Sequence, residues 1–185
     1  VLLAAGVFLV RSDWFWSVAR PAFYKDVIDR HAAQHRFDPL LIVAIIQAES
    51  HFAQTARSPV GAVGLMQIMP QTAIDCARAL RIREFRLNDL YVPEVNIRIG
   101  VFHLARLRQE FHGDDTLMLA AWNAGREPVR KWMGRASGPA GPLRVEDIPF
   151  AETRGFVKSV HATYKRLKTV QSAKRALARA LPFHG

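Results

Sequence analysis

A mainly helical, single globular domain is the fold class that the sequence predicts, and three observations predict it. Helix start signals recur along the chain, at Asp38-Pro39, Pro70, Pro93-Glu94 and Asp114-Asp115, each an N-capping acid or a first-turn proline. Apolar residues following these signals return at the 3.6-residue period. Length agrees, because 185 residues with 50% hydrophobic content suit one domain of ordinary size with a real core. No internal repeat is evident. The one cysteine, Cys76, can form no internal disulfide, and it leaves the compartment open. The chain carries no metal, phosphate-cradle or nucleophile-elbow motif, so neither a metal nor a cofactor is expected.

In order, residues 1–20 form an N-terminal hydrophobic segment. Val1 to Val10 is uncharged and mostly apolar, and Trp14-Phe15-Trp16 follows the polar Arg11-Ser12-Asp13. A membrane span needs roughly 20 such residues, which leaves three readings: the end of an anchor, the remnant of a signal segment, or a core helix. The aromatic cluster resembles an interfacial belt and no small-residue cleavage site is evident, so the anchor is favoured. Pro21 to Arg36 then places Phe23, Val27, Ile28 and Ala32 at helical spacing. His31 and His35 lie four apart, but no third ligand accompanies them, and solvated histidines are expected.

Asp38 caps the next helix and Pro39 opens it, after which Leu40 to Ile46 contains no polar residue. That helix must be buried. The helical period sets Glu49 on the face of Ile42, Ile45 and Ile46, close to the helix C-terminus. Desolvation and the negative end of the helix dipole both oppose its ionisation, which suits a proton donor near neutral pH. A carboxyl that caps or pairs internally is the alternative. From Ser50 to Ile74 there is no Asp or Glu, and Gly61 and Gly64 kink a loop carrying Met66, Gln67, Ile68 and Met69. Such a loop lines a groove or fills core gaps with its methionines. Pro70 starts a helix to Leu80.

Arg81 to Asp89 reads as a polar turn. Pro93-Glu94 opens a helix to about Phe111, closed by Gly113, and Asp114 or Asp115 caps another over Thr116 to Ala124, ended by Gly125. Gly134 to Pro149 is rich in Gly and Pro and reads as a loop, and Phe150 to Lys168 returns to helical spacing. The formal charge is +10, and Arg154 to Gly185 supplies eight Lys or Arg with no acid. Gln171 to Leu181 has a weak basic amphipathic pattern. A solvated helix is the default for such a tail. It also suits an anionic membrane surface or anionic cell-wall polymers, whereas nucleic acid is not expected, since no recognition-helix motif or aromatic interleaving accompanies the charge.

Several of these residues carry a resemblance. Glu49-Ser50-x-Phe52, then Ala56-x-Ser58-x-x-Gly61-Ala62-x-Gly64-Leu65-Met66-Gln67-Ile68-Met69-Pro70-x-Thr72-Ala73, is similar to the signature of the soluble lytic transglycosylase family. Asn96, Gly100 and Leu104 resemble its Asn-x-x-x-Gly-x-x-x-Leu helix. Ala121-Trp122-Asn123-Ala124-Gly125 resembles its Ala-Tyr-Asn-Ala-Gly motif, and Glu152-Thr153-Arg154-Gly155-Phe156-Val157 its Glu-Thr-Arg-x-Tyr-Val motif. Trp122 and Phe156 replace the usual tyrosines. The resemblance covers roughly Tyr24 to Lys165.

The resemblance implies a lysozyme-like fold and a lytic transglycosylase acting on peptidoglycan glycan strands, the polymer of N-acetylmuramic acid and N-acetylglucosamine. Glu49 would protonate the glycosidic oxygen and then, as base, take the proton of the muramic 6-hydroxyl, closing a 1,6-anhydro ring. Ser58, Gln67, Met69 and Trp122 would line the sugar sites, with Asn123 and Glu152 beside them. Glu152 reads equally as a helix-start carboxylate. Two alternatives are a goose-type lysozyme that hydrolyses the same bond and an inactive wall-binding or assembly module. The expected organisation is an N-terminal segment at 1–20, a catalytic domain at 21–168 and a basic tail at 169–185. An extracytoplasmic, anchored protein is expected.

Overall fold

The computed structural model describes residues 22–136 and 143–180. The expected anchor within residues 1–20 lies outside them. Seven α-helices appear among the described residues: α1 Lys25–Gln34, α2 Pro39–Ser50, α3 Pro70–Ala79, α4 Pro93–Glu110, α5 Asp115–Ala124, α6 Arg126–Ala136 and α7 Ala151–Ala180. Short 3-10 turns occupy Leu87–Tyr91 and Val145–Asp147. The described residues contain no β-strand beyond isolated bridges of Val63 with Arg57 and Ile68. A mainly helical fold is what start signals and periodicity predicted. The chain divides into two compact units at Ala105 and Arg106, within α4.

In the first unit α2 is the buried element. Asp38 accepts a hydrogen bond from the Leu40 N–H at 2.9 Å, and Pro39 takes the first position, where no N–H is needed. Leu41, Ile42, Ala44, Ile45 and Ile46 are all buried. Each large aliphatic side chain among them contributes about 1.5–3 kcal/mol on leaving water. Helix α1 packs against it and buries Ile28, His31 and Ala32. His31 corrects the expectation of a solvated histidine, because it is 4% exposed, with Nε2 2.8 Å from Glu94 Oε1 and Nδ1 3.0 Å from Gln34 Oε1. A buried imidazole must pair both ring nitrogens, and these partners do so. His35 meets the Phe102 ring edge-on at 5.9 Å.

In the second unit Asp114 caps α5 by accepting from the Leu117 N–H at 2.9 Å, and Gly125 ends it at φ 86°. Leu117 to Ala121 are buried there. Helix α6 was not foreseen. Its signals are Glu127 and Pro128 in the first turn and apolar Val129 and Trp132 three apart, both buried. Phe150, just ahead of α7, meets the Trp132 ring edge-on at 5.0 Å. Helix α7 runs past the Lys168 limit predicted for it, so the boundary expected at Thr169 falls inside a continuous helix. Arg144 grips Asp147 with Nε at 2.9 Å and Nη2 at 3.2 Å, and this hydrogen bond holds the carboxyl below its ordinary value.

Candidate functional site

Glu49 stands in the last turn of α2, half-buried where the run of buried isoleucines ends. It is the only Asp or Glu between Asp38 and Asp75. Directly after α2 the chain takes two consecutive left-handed residues, His51 at φ 50° and Phe52 at φ 63°. For a bulky aromatic this conformation costs about 1–2 kcal/mol, and packing must hold it. Phe52 is 3% exposed and stacks on Tyr24 with ring centroids 6.1 Å apart. Gln54 adds a clasp, accepting from the Tyr24 hydroxyl at 3.4 Å and donating to the Tyr91 carbonyl at 2.9 Å. The turn that leads away from Glu49 is thereby fixed from both sides.

The loop from Ser58 to Met69 is held by side chains rather than by a sheet. Ser58 Oγ accepts from the Ala62 N–H at 2.9 Å, closing a turn around Gly61. Gln67, at φ 45°, donates from Nε2 to the Gly64 carbonyl at 2.9 Å and the Ala56 carbonyl at 3.3 Å. Beneath it lies Asn96, fully buried, whose Nδ2 donates to Leu90 at 2.8 Å and Val63 at 3.0 Å while Oδ1 accepts from the Met66 N–H at 2.9 Å. Ser50 donates from Oγ to the Leu65 carbonyl at 2.7 Å. Two glycines make the approach feasible. A Cβ on Gly64 would fall 2.2 Å from Asn96 Nδ2, and one on Gly100 would fall 2.4 Å from Met66 Sδ.

These contacts sort the methionines that the sequence left open between groove and core. Met66 is fully buried against Gly100, so it fills the core, whereas Met69 is 43% exposed at the start of α3. Ser58 and Gln67 are half-buried. The first unit therefore joins Ser58 and Gln67 in one braced loop, and Ser50 ties the end of α2 to that same loop.

In the second unit Trp122 and Asn123 are half-buried in the last turn of α5, and Glu152 is exposed in the first turn of α7. Thr153, 2% exposed, donates from Oγ1 to Asn123 Oδ1 at 2.7 Å. This bond fastens the end of α5, with Trp122, to the start of α7, with Glu152. The adjoining Arg154 donates to the Ile148 carbonyl at 2.7 Å. Ser50, Asn96 and Thr153 are the polar residues to which sequence reasoning assigned no role. Their signal was present in the family motifs, where Ser50 follows Glu49, Asn96 opens the Asn-x-x-x-Gly-x-x-x-Leu pattern and Thr153 follows Glu152.

The family model described as "Transglycosylase SLT domain" matches residues 26–142. Among curated proteins, the soluble lytic murein transglycosylase of Salmonella typhimurium is 38% identical over 159 residues, 85% of this chain and 25% of that protein. The Escherichia coli protein of the same name is 39% identical, over 77% of this chain and 22% of its own length. This chain thus spans about a quarter of the curated relatives it matches. Among solved structures, the 70-kDa soluble lytic transglycosylase of Escherichia coli superposes with a TM-score of 0.71 at 37% identity, covering 78% of this chain and 24% of that one. The complex of the 70-kDa soluble lytic transglycosylase with bulgecin A gives 0.74 at 36%, covering 84% and 26%. A helical, lysozyme-like fold is common to these structures and this chain. On the family match and on these relatives, the chain belongs to the transglycosylase SLT domain family.

Proposed function

We propose that this chain is the catalytic part of a peptidoglycan lytic transglycosylase, cleaving the β-1,4 bond from N-acetylmuramic acid to N-acetylglucosamine without water. The observation that carries the proposal is one half-buried acid, Glu49, at the end of a buried helix and beside a braced loop that contains no second carboxylate. A glycosidase that hydrolyses by the usual route needs two carboxyl groups, one as acid and one as nucleophile or water activator. One carboxyl suffices when the substrate supplies the rest. Glu49 gives its proton to the glycosidic oxygen, and the C1–O bond breaks with its electron pair going to the departing N-acetylglucosamine. The muramic N-acetyl group supports the electron-poor C1, the 6-hydroxyl oxygen bonds to C1, and its proton passes to the Glu49 carboxylate. The product is a 1,6-anhydro sugar, and Glu49 is again protonated.

Ser58, Gln67, Met69, Trp122, Asn123 and Glu152 are the proposed sugar contacts. Gln67 spends its amide nitrogen on the loop, which leaves its carbonyl oxygen to accept from a sugar hydroxyl or amide. The relatives support the activity by name, and the solved Pseudomonas aeruginosa relative, 36% identical, is an inactive mutant carrying a glutamate-to-glutamine exchange. A goose-type hydrolase and an inactive module are not favoured by them. The substrate places the protein on the extracytoplasmic side. An anchor within residues 1–20 and anionic cell-wall polymers facing the basic C-terminus belong to the same proposal. Among the described residues no helix is long and apolar enough to cross a membrane.

Digestion of purified sacculi in water enriched in heavy oxygen tests the reaction. Unlabelled anhydro-muropeptides are expected by mass spectrometry, and Glu49→Gln should lower turnover by at least roughly 10²–10⁴-fold with folding retained. Labelled reducing ends as the main product, or near-normal turnover in the variant, overturns the proposal.

A further inference from the structure

Helix α7 carries one acid, Glu152 in its first turn, and none follows to the end of the chain. Elsewhere some exposed basic residues meet acids on their own helix or turn, as Lys25 meets Asp29 and Arg130 meets Glu127, and on α7 Lys158 lies 3.8 Å from Glu146 of the preceding 3-10 turn. Along α7 the positions 161, 165, 168, 172, 175 and 179 follow the helical repeat and so share one face. They hold His161, Lys165, Lys168, Ser172, Arg175 and Arg179, and from Lys165 onward all are exposed. At ~1.5 Å per residue the stripe is about 27 Å long. Only Thr153, Val157 and Val160 of this helix are buried, all in its first third.

The exposed apolar residues do not share that face. Val170, 48% exposed, and Leu177, 60% exposed, each follow a basic residue of the stripe by two positions, which is about 200° around the helix. The two faces therefore point in opposed directions. A helix that settles into a lipid surface puts its apolar side down with basic residues at its flanks. Here, burying Val170 and Leu177 brings down Arg166 and Lys174, about 40–60° away around the helix, but turns the stripe residues Lys168 and Arg175 away from the headgroups. A straight cationic stripe with no apolar demand of its own fits a linear polyanion instead.

We propose that this stripe is a second contact for the peptidoglycan polymer, binding the carboxylates of the stem peptides that repeat along a glycan strand. The inference rests on the proposed function, since peptidoglycan is the polyanion which that reaction brings to the protein. The stripe lies outside the proposed sugar contacts, so it retains the enzyme on an insoluble substrate without taking part in bond cleavage. Being exposed, the attraction is screened by salt, with a Debye length of about 8 Å at physiological ionic strength.

Co-sedimentation with isolated sacculi measures it, using the full chain with Glu49→Gln to prevent digestion. Replacing Lys165, Lys168, Arg175 and Arg179 together by Ser should weaken sedimentation about ten-fold or more at low salt, with circular dichroism unchanged. Sacculi whose carboxylates have been amidated should lose the difference between the two proteins. On a wild-type Glu49 background, turnover of a soluble, peptide-free glycan should be equal with and without the four serines. Unchanged sedimentation of the four-serine protein overturns the proposal. So does a difference that survives amidation, or one seen only on equimolar phosphatidylglycerol–phosphatidylcholine vesicles or on duplex DNA. Absence of turnover by the wild type, with carboxylate-dependent sedimentation intact, counts against the proposed reaction and not against the stripe.

Discussion

Ser50 and Asn96 grip the two ends of one peptide group: the Ser50 hydroxyl donates to the Leu65 carbonyl at 2.7 Å, and Asn96 Oδ1 accepts from the Met66 N–H at 2.9 Å. One peptide plane in the loop is thus pinned between α2 and α4. Ser50 is the residue after Glu49, so the pin also sets the distance between the proposed acid and the loop. Removing either partner leaves buried backbone groups unpaired, at about 1–3 kcal/mol per group. Asn96→Leu strands the Met66 N–H and the Leu90 carbonyl, while the Val63 carbonyl keeps the Ile68 N–H; it should cost about 3 kcal/mol or more, whereas Ser50→Ala strands one carbonyl and should cost about 1–2 kcal/mol. Urea denaturation measures both. Equal losses would show that the three bonds of Asn96 do not act together.

The glycines give an ordered series. Gly64→Ala meets Asn96 Nδ2 and the Leu90 carbonyl at φ +80°, and neither neighbour can retreat without breaking a hydrogen bond. Gly100→Ala meets the end of Met66, a flexible side chain in a closed core. Gly61→Ala meets nothing within 4 Å and carries only the backbone strain of φ +93°, about 1–2 kcal/mol. Thermal melting should rank the losses Gly64, then Gly100, then Gly61. Pairing Gly100→Ala with Met66→Ala should recover part of the loss, because the shorter side chain makes room for the new Cβ. A strictly additive pair would exclude that contact as the cause.

Thr153 and Asn123 form a testable pair in the second unit. Thr153→Val keeps the shape of a side chain that is 2% exposed and deletes its donor. A double-mutant cycle with Asn123→Ala should give a coupling of about 1 kcal/mol in urea. Simple additivity would mean that the 2.7 Å contact contributes nothing to stability.

Arg144 and Asp147 supply a pH-dependent contact. The side-chain hydrogen bond from Arg144 lowers the Asp147 pKa from its ordinary 3.8. A depressed carboxylate stabilises the fold above its unfolded pKa and loses that contribution as pH falls through the folded value, so the window lies below the ordinary one. Carboxyl chemical shifts followed by NMR should show the Asp147 midpoint rising in Arg144→Ala. An unmoved midpoint would assign the depression to another group.

The sequence alone determined the helix starts, because proline geometry and side-chain caps act within one turn and need no distant partner, as Asp38 and Asp114 illustrate. It also isolated Glu49, since a lone acid within thirty-odd positions that hold no other carboxylate is visible without coordinates. It determined less where the local pattern was weak, as with α6, whose first-turn Pro128 follows directly on the Gly125 stop. What only the tertiary structure decided is which side chains meet over long separations. His31 was indistinguishable from a solvated histidine until Glu94, 63 residues away, was seen beside it. Met66 and Met69 look alike as letters, and only the space over Gly100 separates a core residue from an exposed one. The pairs Ser50 with Leu65, Asn96 with Met66, and Thr153 with Asn123 belong to the same class. A hydrogen bond across 15 or 30 residues leaves no periodic trace in a sequence, because periodicity records burial along one helix and not the partner that burial requires.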